Sequence, residues 1–204
     1  MAKRPVTTRD ARVRLLVTQE AARIMAQEGI SDYLVAKRKA AERIGAPDTR
    51  NLPGNREIQE ALIEYQRLFG GSERPALLRK LREVAVEAMQ FLERFQPRLV
   101  GSVLHGTATE HSDVNLHLFA DTPEELAIFL MDHDIPHEVG ERRFRFGRDD
   151  YVNVPVFRLL AGDLTVDLAV FPRNGLREAP RSRIDGQPME RAAIAAVREL
   201  LAAG

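Results

Sequence analysis

The sequence predicts an α+β protein with a helical N-terminal half and a mixed C-terminal half. Three observations carry this. Apolar residues recur at helical spacing as far as Phe95, and beyond Gln96-Pro97 they gather into short runs bounded by turn residues. A helix-start signal at Thr122-Pro123 then interrupts those short runs.

The first helix runs from Thr8 to Gln27, with Ala11, Leu15, Ala22, Ile24 and Met25 set among charges and Gly29 as its stop. Ser31 and Asp32 can cap a second helix that continues to Arg43 and ends at Gly45-Ala46-Pro47. Asp48 to Asn55 is rich in turn residues and reads as a loop. A third helix covers Arg56 to Phe69, ahead of Gly70-Gly71. The fourth, Pro75 to Phe95, has the longest periodic face: Leu77, Leu78, Leu81, Val84, Ala85, Ala88, Met89 and Leu92.

Arg98–Leu104 and Asp113–Phe119 read as strands. Thr122 as cap, Pro123 in the first turn and Glu125 at the third position start a helix that reaches His133. His137–Phe146, Val152–Leu160 and Leu164–Phe171 are further strands, the last two joined by an Ala161-Gly162-Asp163 turn. Pro188–Leu201 closes the chain as a helix. The expected division is a helical module at 1–74 and an α+β domain at 75–204.

With 44% hydrophobic and 29% charged residues, disorder along the whole chain is excluded. No apolar run approaches the roughly 20 residues that span a bilayer, so no membrane partner is expected. The start, Met1-Ala-Lys-Arg-Pro5, lacks an apolar segment behind it, and a cytoplasmic protein is the simplest reading. The absence of cysteine removes disulfides and thiolate zinc sites. Thirty basic residues balance thirty acidic ones, against the basic excess that a general nucleic-acid coat needs. The average hides a split: residues 1–97 hold 18 Lys and Arg against 13 Asp and Glu, and residues 98–204 hold 12 against 17.

Three features of the second half carry chemistry. Gly101-Ser102 ends a strand and opens a small-residue loop, where glycine lets backbone amides approach a phosphate and serine adds a donor. Asp113, Asn115 and His117 alternate along a strand and share a face, with Val114, Leu116 and Leu118 on the other. Asp167 is a lone carboxylate inside the apolar run Leu164–Phe171, a costly position unless it is paired or metal-bound.

In this order the residues resemble the nucleotidyltransferase superfamily related to DNA polymerase β, and the spacing looks especially like its minimal bacterial members. The resemblance spans about residues 76–172. It rests on a helix, a strand ending in Gly101-Ser102, a ten-residue spacer, the Asp113-x-Asn115 strand and a later strand bearing Asp167. It implies a mixed β-sheet flanked by helices and Mg²⁺-dependent transfer of a nucleoside monophosphate from a nucleoside triphosphate to an acceptor hydroxyl. Mg²⁺ or Mn²⁺ is the implied cofactor, and an RNA or a protein would offer the acceptor. Asp113 and Asp167 would be catalytic and, with Asn115, would hold metal; Gly101 and Ser102 would contact phosphate.

Asn115 departs from the family, which has a carboxylate there. An amide oxygen coordinates a hard cation but brings no charge, so two divalent ions would be poorly neutralised. The alternative is therefore a catalytically inactive module of the same fold, acting as a nucleotide sensor or as an RNA or protein adaptor. Lys37, Arg38 and Lys39 form a basic helical patch, and Arg142, Arg143 and Arg145 interleave with Phe144 and Phe146 on a strand. Strand alternation puts Arg143 and Arg145 on one face and the phenylalanines on the other. His105, His111 and His117 with Asp113 form a weaker rival metal set, since no short metal motif accompanies them.

Overall fold

The computed structural model describes residues 8–71 and 73–203, and the Met1–Pro5 start lies outside them. The chain divides into two compact units. One takes the chain up to Gly71 together with Arg183–Asp185, and the other takes the remainder.

The first unit is helical: α1 (Thr8–Glu28), α2 (Tyr33–Arg43) and α3 (Asn55–Phe69). Asp32 caps α2 by accepting from the amides of Leu34 and Val35. Val17, Ala21, Ile24, Ala36, Ala40, Ile58 and Leu62 form its core, small residues on α2 letting the helices approach closely. The Lys37–Lys39 patch is largely spoken for: Lys37 donates to Asn55 Oδ1, and Lys39 pairs with Glu28.

The second unit is α+β, as its change of period predicts. Helix α4 (Glu73–Phe91) leads through a 3₁₀ turn at Glu93–Phe95 into β1 (Arg98–Val100) and the short α5 (Ser102–His105). Then come β2 (Val114–Ala120), α6 (Pro123–Asp132), β3 (His137–Arg145), β4 (Tyr151–Ala161), β5 (Leu164–Pro172) and α7 (Ile194–Ala202). The five-stranded sheet runs β1-β2-β5-β4-β3, with β2 and β5 parallel and the other neighbours antiparallel. This is the mixed β-sheet flanked by helices expected of the second half of the chain.

One sheet face is the main core. Leu116 and Leu118 of β2, Val166 and Leu168 of β5, and Phe157 of β4 meet Leu81, Ala85, Met89 and Leu92 of the α4 stretch, Leu126 and Leu130 of α6 and Val197 of α7. Burying each such leucine contributes about 1.5–3 kcal/mol, so this face holds the sheet in place. Among the described residues, no helix is long and apolar enough to cross a membrane.

Two elements differ from expectation. The strand expected over 98–104 stops at Val100, because Gly101 takes φ +78° and turns the chain into α5. The last helix begins at Ile194 rather than Pro188, because the backbone of Ala192 exchanges two 2.9 Å hydrogen bonds with Leu99 and is held extended.

Candidate functional site

The second sheet face carries the predicted residues. The tight Gly162-Asp163 turn, with Gly162 at φ +62°, pairs Ala161 with Leu164 and so sets Arg158 opposite Asp167. The parallel β2–β5 ladder sets Asn115 beside Asp167, and β1 sets Val100 beside Asn115. Asp113 immediately precedes β2. Pairing thus brings Asp113, Asn115 and Asp167 to one end of the sheet, with Gly101-Ser102 following β1 at that end.

Two arginines join them there. Asp167 is only 2% exposed, and its Oδ1 accepts from Arg158 Nε at 2.8 Å. Its Oδ2 accepts from Arg158 Nη2 at 3.2 Å and from Arg142 Nη2 at 2.5 Å. Arg142 Nη1 donates to Asn115 Oδ1 at 2.9 Å, and Asn115 Nδ2 donates to the Asp113 carbonyl at 3.0 Å. Arg158 Nη2 is also 4.0 Å from Asp113 Oδ2. Burial pulls the Asp167 carboxyl upward, and the hydrogen bonds from Arg158 and Arg142 outweigh it, leaving the group below the ordinary carboxylate range.

Beside this cluster is an open groove of about 210 Å³ lined by Glu138, Gly140, Arg142, Val156 and Arg158 among others. Gly140 sits two residues before Arg142 on β3, and its missing side chain leaves the groove its floor. Asp167 occupies Nε and Nη2 of Arg158 and only Nη2 of Arg142, which leaves Arg158 Nη1 and Arg142 Nε for other acceptors.

The donor set does not fit two divalent ions as it is folded. Both oxygens of Asp167 are taken by guanidinium groups, and the oxygen of Asn115 is taken by Arg142. Among the described residues, no three His, Asp or Glu groups converge on a point that could hold a metal. Gly101 shapes the turn into α5, where its carbonyl accepts from the His105 amide, and the Ser102 carbonyl accepts from Thr107.

No protein-family model matches the chain, and no curated protein matches it. Solved structures give partial likenesses. Cid1 in complex with its short product ApU is 18% identical, with a TM-score of 0.32 over 48% of this chain and 32% of that one. The Cid1 poly(U) polymerase bound to MgGTP is 16% identical, with a TM-score of 0.31 over 46% of this chain and 32% of that one. Cid1 with the UTP analogue UMPNPP is 15% identical, with a TM-score of 0.31 over 46% and 30%. The chain spans about a third of the length of these neighbours.

The other end of the same face is apolar. Phe119, Phe144, Val154, Val156, Ala169 and Phe171 cluster there, with Leu176 and Met189 packed on them from the segment after β5. His117 lies among them, 2% exposed, with its ring against Phe144 and Phe171. Arg191 donates from Nε to His117 Nδ1 at 3.0 Å and from Nη1 to the Gly175 carbonyl at 2.7 Å, its guanidinium facing the Phe119 and Phe171 rings. Desolvation, then Arg191 and Arg142, push the His117 imidazole down to about 3, so it is neutral and accepts at Nδ1. His117 is therefore a packed core histidine. The rival histidine set does not assemble, because His105 instead faces Glu190 and His111 faces Glu110.

Sequence reasoning missed Arg158, and it named Arg142 only within the basic strand cluster, not as a partner of Asp167 and Asn115. A signal for each was present. A two-residue turn at Gly162-Asp163 puts position 158 opposite 167, and alternation puts Arg142 on the Phe144 face, away from Arg143 and Arg145.

Proposed function

We propose that the chain is a nucleotidyltransferase-fold module that binds a nucleotide without transferring it. The observation that carries this reading is the engagement of Asp167 by two guanidinium groups, beside an uncharged Asn115. Two-metal transfer draws on closely set carboxylates that neutralise the ions. Here Arg142 and Arg158 already balance Asp113 and Asp167, so the electrostatic drive for two divalent ions is spent within the protein.

The groove supplies the ligand chemistry. A nucleotide offers phosphate oxygens to the uncommitted edges of Arg158 and Arg142 and hydroxyl or amino donors to Glu138. At about 210 Å³ the groove is smaller than the roughly 300–1,000 Å³ of ordinary ligand pockets, so part of the ligand stays in solvent. Asp113, Asn115 and Asp167 act here as the frame that holds the arginines, and Gly101-Ser102 as a turn beside them.

One observation favours the transfer reading: Asp113 and Asp167 still converge on a single point, where Arg158 Nη2 lies. The experiment that separates the two titrates the protein with each ribonucleoside triphosphate in EDTA and in Mg²⁺, and assays labelled triphosphates for transfer with Mg²⁺ or Mn²⁺. Binding that is insensitive to EDTA, weakened at least ten-fold by Arg142→Ala, with no transfer, supports the non-catalytic module. Transfer that Asp113→Ala abolishes replaces it with the enzyme.

A further inference from the structure

We infer that Arg142, Arg158 and Asn115 form one unit, in which two guanidinium groups are the chain's own counter-cations for the Asp113–Asp167 pair. The inference rests on the fold reading above and goes beyond it by assigning the arginines as the residents of a cation position. It also explains why Asn115 stands where the resembled family carries a carboxylate.

Position comes first. Arg158 Nη2 is 3.2 Å from Asp167 Oδ2 and 4.0 Å from Asp113 Oδ2, so one nitrogen of a guanidinium lies between the two carboxylates. Arg142 spans the other gap, from Asp167 Oδ2 to Asn115 Oδ1. Three side chains that resemble a metal-binding set thus share two cations, and both cations are covalently part of the chain.

Charge comes second. Two divalent ions would bring four positive charges and call for three carboxylates. Two guanidinium groups bring two, and Asp113 with Asp167 balance them. A third carboxylate at 115 would leave a surplus negative charge beside the buried Asp167. An amide is the side chain that fits. Asn115 accepts from Arg142 through Oδ1 and donates to the Asp113 carbonyl through Nδ2, a donor role that a carboxylate cannot fill.

Preorganisation comes third. Arg158 also stands directly across from Glu138 on β3, so Asp167, Arg158 and Glu138 form a row of alternating charge across three strands. An arginine held by ladder position and by a bidentate contact to a buried carboxylate is kept in place more firmly than a surface ion pair. Around the two guanidinium groups stand Asp113 and Asn115 by β2, Asp167 on β5 and Glu138 on β3.

The test uses Mn²⁺ alone, on the full chain, and reads thermal unfolding and Mn²⁺ binding by calorimetry. The unaltered protein should show no Mn²⁺-dependent rise in unfolding temperature. Arg158→Ala should unfold at a lower temperature, recover part of the loss with Mn²⁺, and bind Mn²⁺ at least ten-fold more tightly than the unaltered chain. Adding Asp113→Ala to Arg158→Ala should remove that recovery. Arg158→Gln, which keeps a hydrogen-bond donor toward Asp167 but no charge, covers the case in which the alanine variant does not fold, and should gain a smaller but measurable Mn²⁺ affinity. The inference is overturned if the unaltered protein already binds Mn²⁺ at a site lost in Asp113→Ala, or if folded Arg158→Ala or Arg158→Gln gains no affinity. No nucleotide enters these measurements, so a protein that binds no nucleotide defeats the proposed function and leaves this inference standing.

Discussion

The open face of the sheet has two ends, and each is held by arginine in a different way. At the polar end Arg142 and Arg158 clasp the buried carboxylate of Asp167, with their outer edges in solvent. At the apolar end Arg191 is sunk among Phe119, Phe171 and His117, and it bonds to a neutral imidazole and backbone carbonyls rather than an acid. Burial, with Arg98 nearby, pushes its guanidinium down to about 10. The lesson is about who needs whom. At the polar end the buried group is the anion, and the arginines are there for it; at the apolar end the arginine itself is buried, and carbonyls and rings are there for it.

Removing both clasping arginines should therefore cost most. Arg142→Ala with Arg158→Ala leaves Asp167 buried without a partner, and urea unfolding should show a loss of about 3–5 kcal/mol at neutral pH. Adding Asp167→Leu to that pair should recover much of the loss, since an unpaired buried charge is what makes it large. If the triple variant is no more stable than the double, the arginines support the fold through packing and not through Asp167.

At the apolar end the corresponding change should be milder. Arg191→Met removes the bonds to His117 and Gly175 but also removes a desolvated cation, and the methionine can fill space between Phe119 and Phe171. A loss of about 2 kcal/mol is expected, from charged hydrogen bonds worth about 1.5–3 kcal/mol each offset by the relief of desolvation. A loss equal to that of the double arginine variant would erase the distinction between the two ends.

How much of this was legible follows from distance along the chain. Asp167 stood out because it is a single charge in an apolar run, and the Asp113–Asn115–His117 alternation gave the correct shared face. The Arg158 contact was encoded in a local turn, two residues long, and needed only the register to be counted. Arg142 reaches Asp167 from a strand two positions away in the sheet, across β4, so only the assembled ladder shows it. What buries His117 could not be read at all: Arg191 comes from an irregular segment 74 residues downstream that looked helical in the sequence. That segment is extended because Ala192 pairs with Leu99, a contact no periodicity reports.

The two ends also separate by pH. His117 has its folded value near 3 against an ordinary 6.5, so below 6.5 the unfolded chain takes up a proton that the folded chain refuses. Stability is then complete above 6.5 and falls as pH drops toward 3. Asp167, held below its ordinary 3.8, adds to the loss only once pH passes beneath that value. Between 6.5 and 4.5, above the ordinary value of the lowered Glu20, Glu28, Glu57 and Glu64, the slope belongs to the apolar end, and His117→Gln should flatten it in urea midpoints measured across that range. A slope unchanged in the variant would mean that the imidazole is not held neutral there.

The smallest effect should come from Asn115→Asp. The change keeps the size of the side chain and its acceptor toward Arg142, but it gives up the donor to the Asp113 carbonyl. It also places a third anion at the end where two cations balance two. Partial exposure lets water screen the added charge, and Arg142 remains a partner, so a loss of about 1 kcal/mol is expected from unfolding at neutral pH. Mn²⁺ should not restore it, because Arg158 still lies between the carboxylates. Restoration by Mn²⁺ in this variant alone would show that the amide, and not the arginines, keeps divalent ions out, and it would make the polar end a one-residue departure from a metal site.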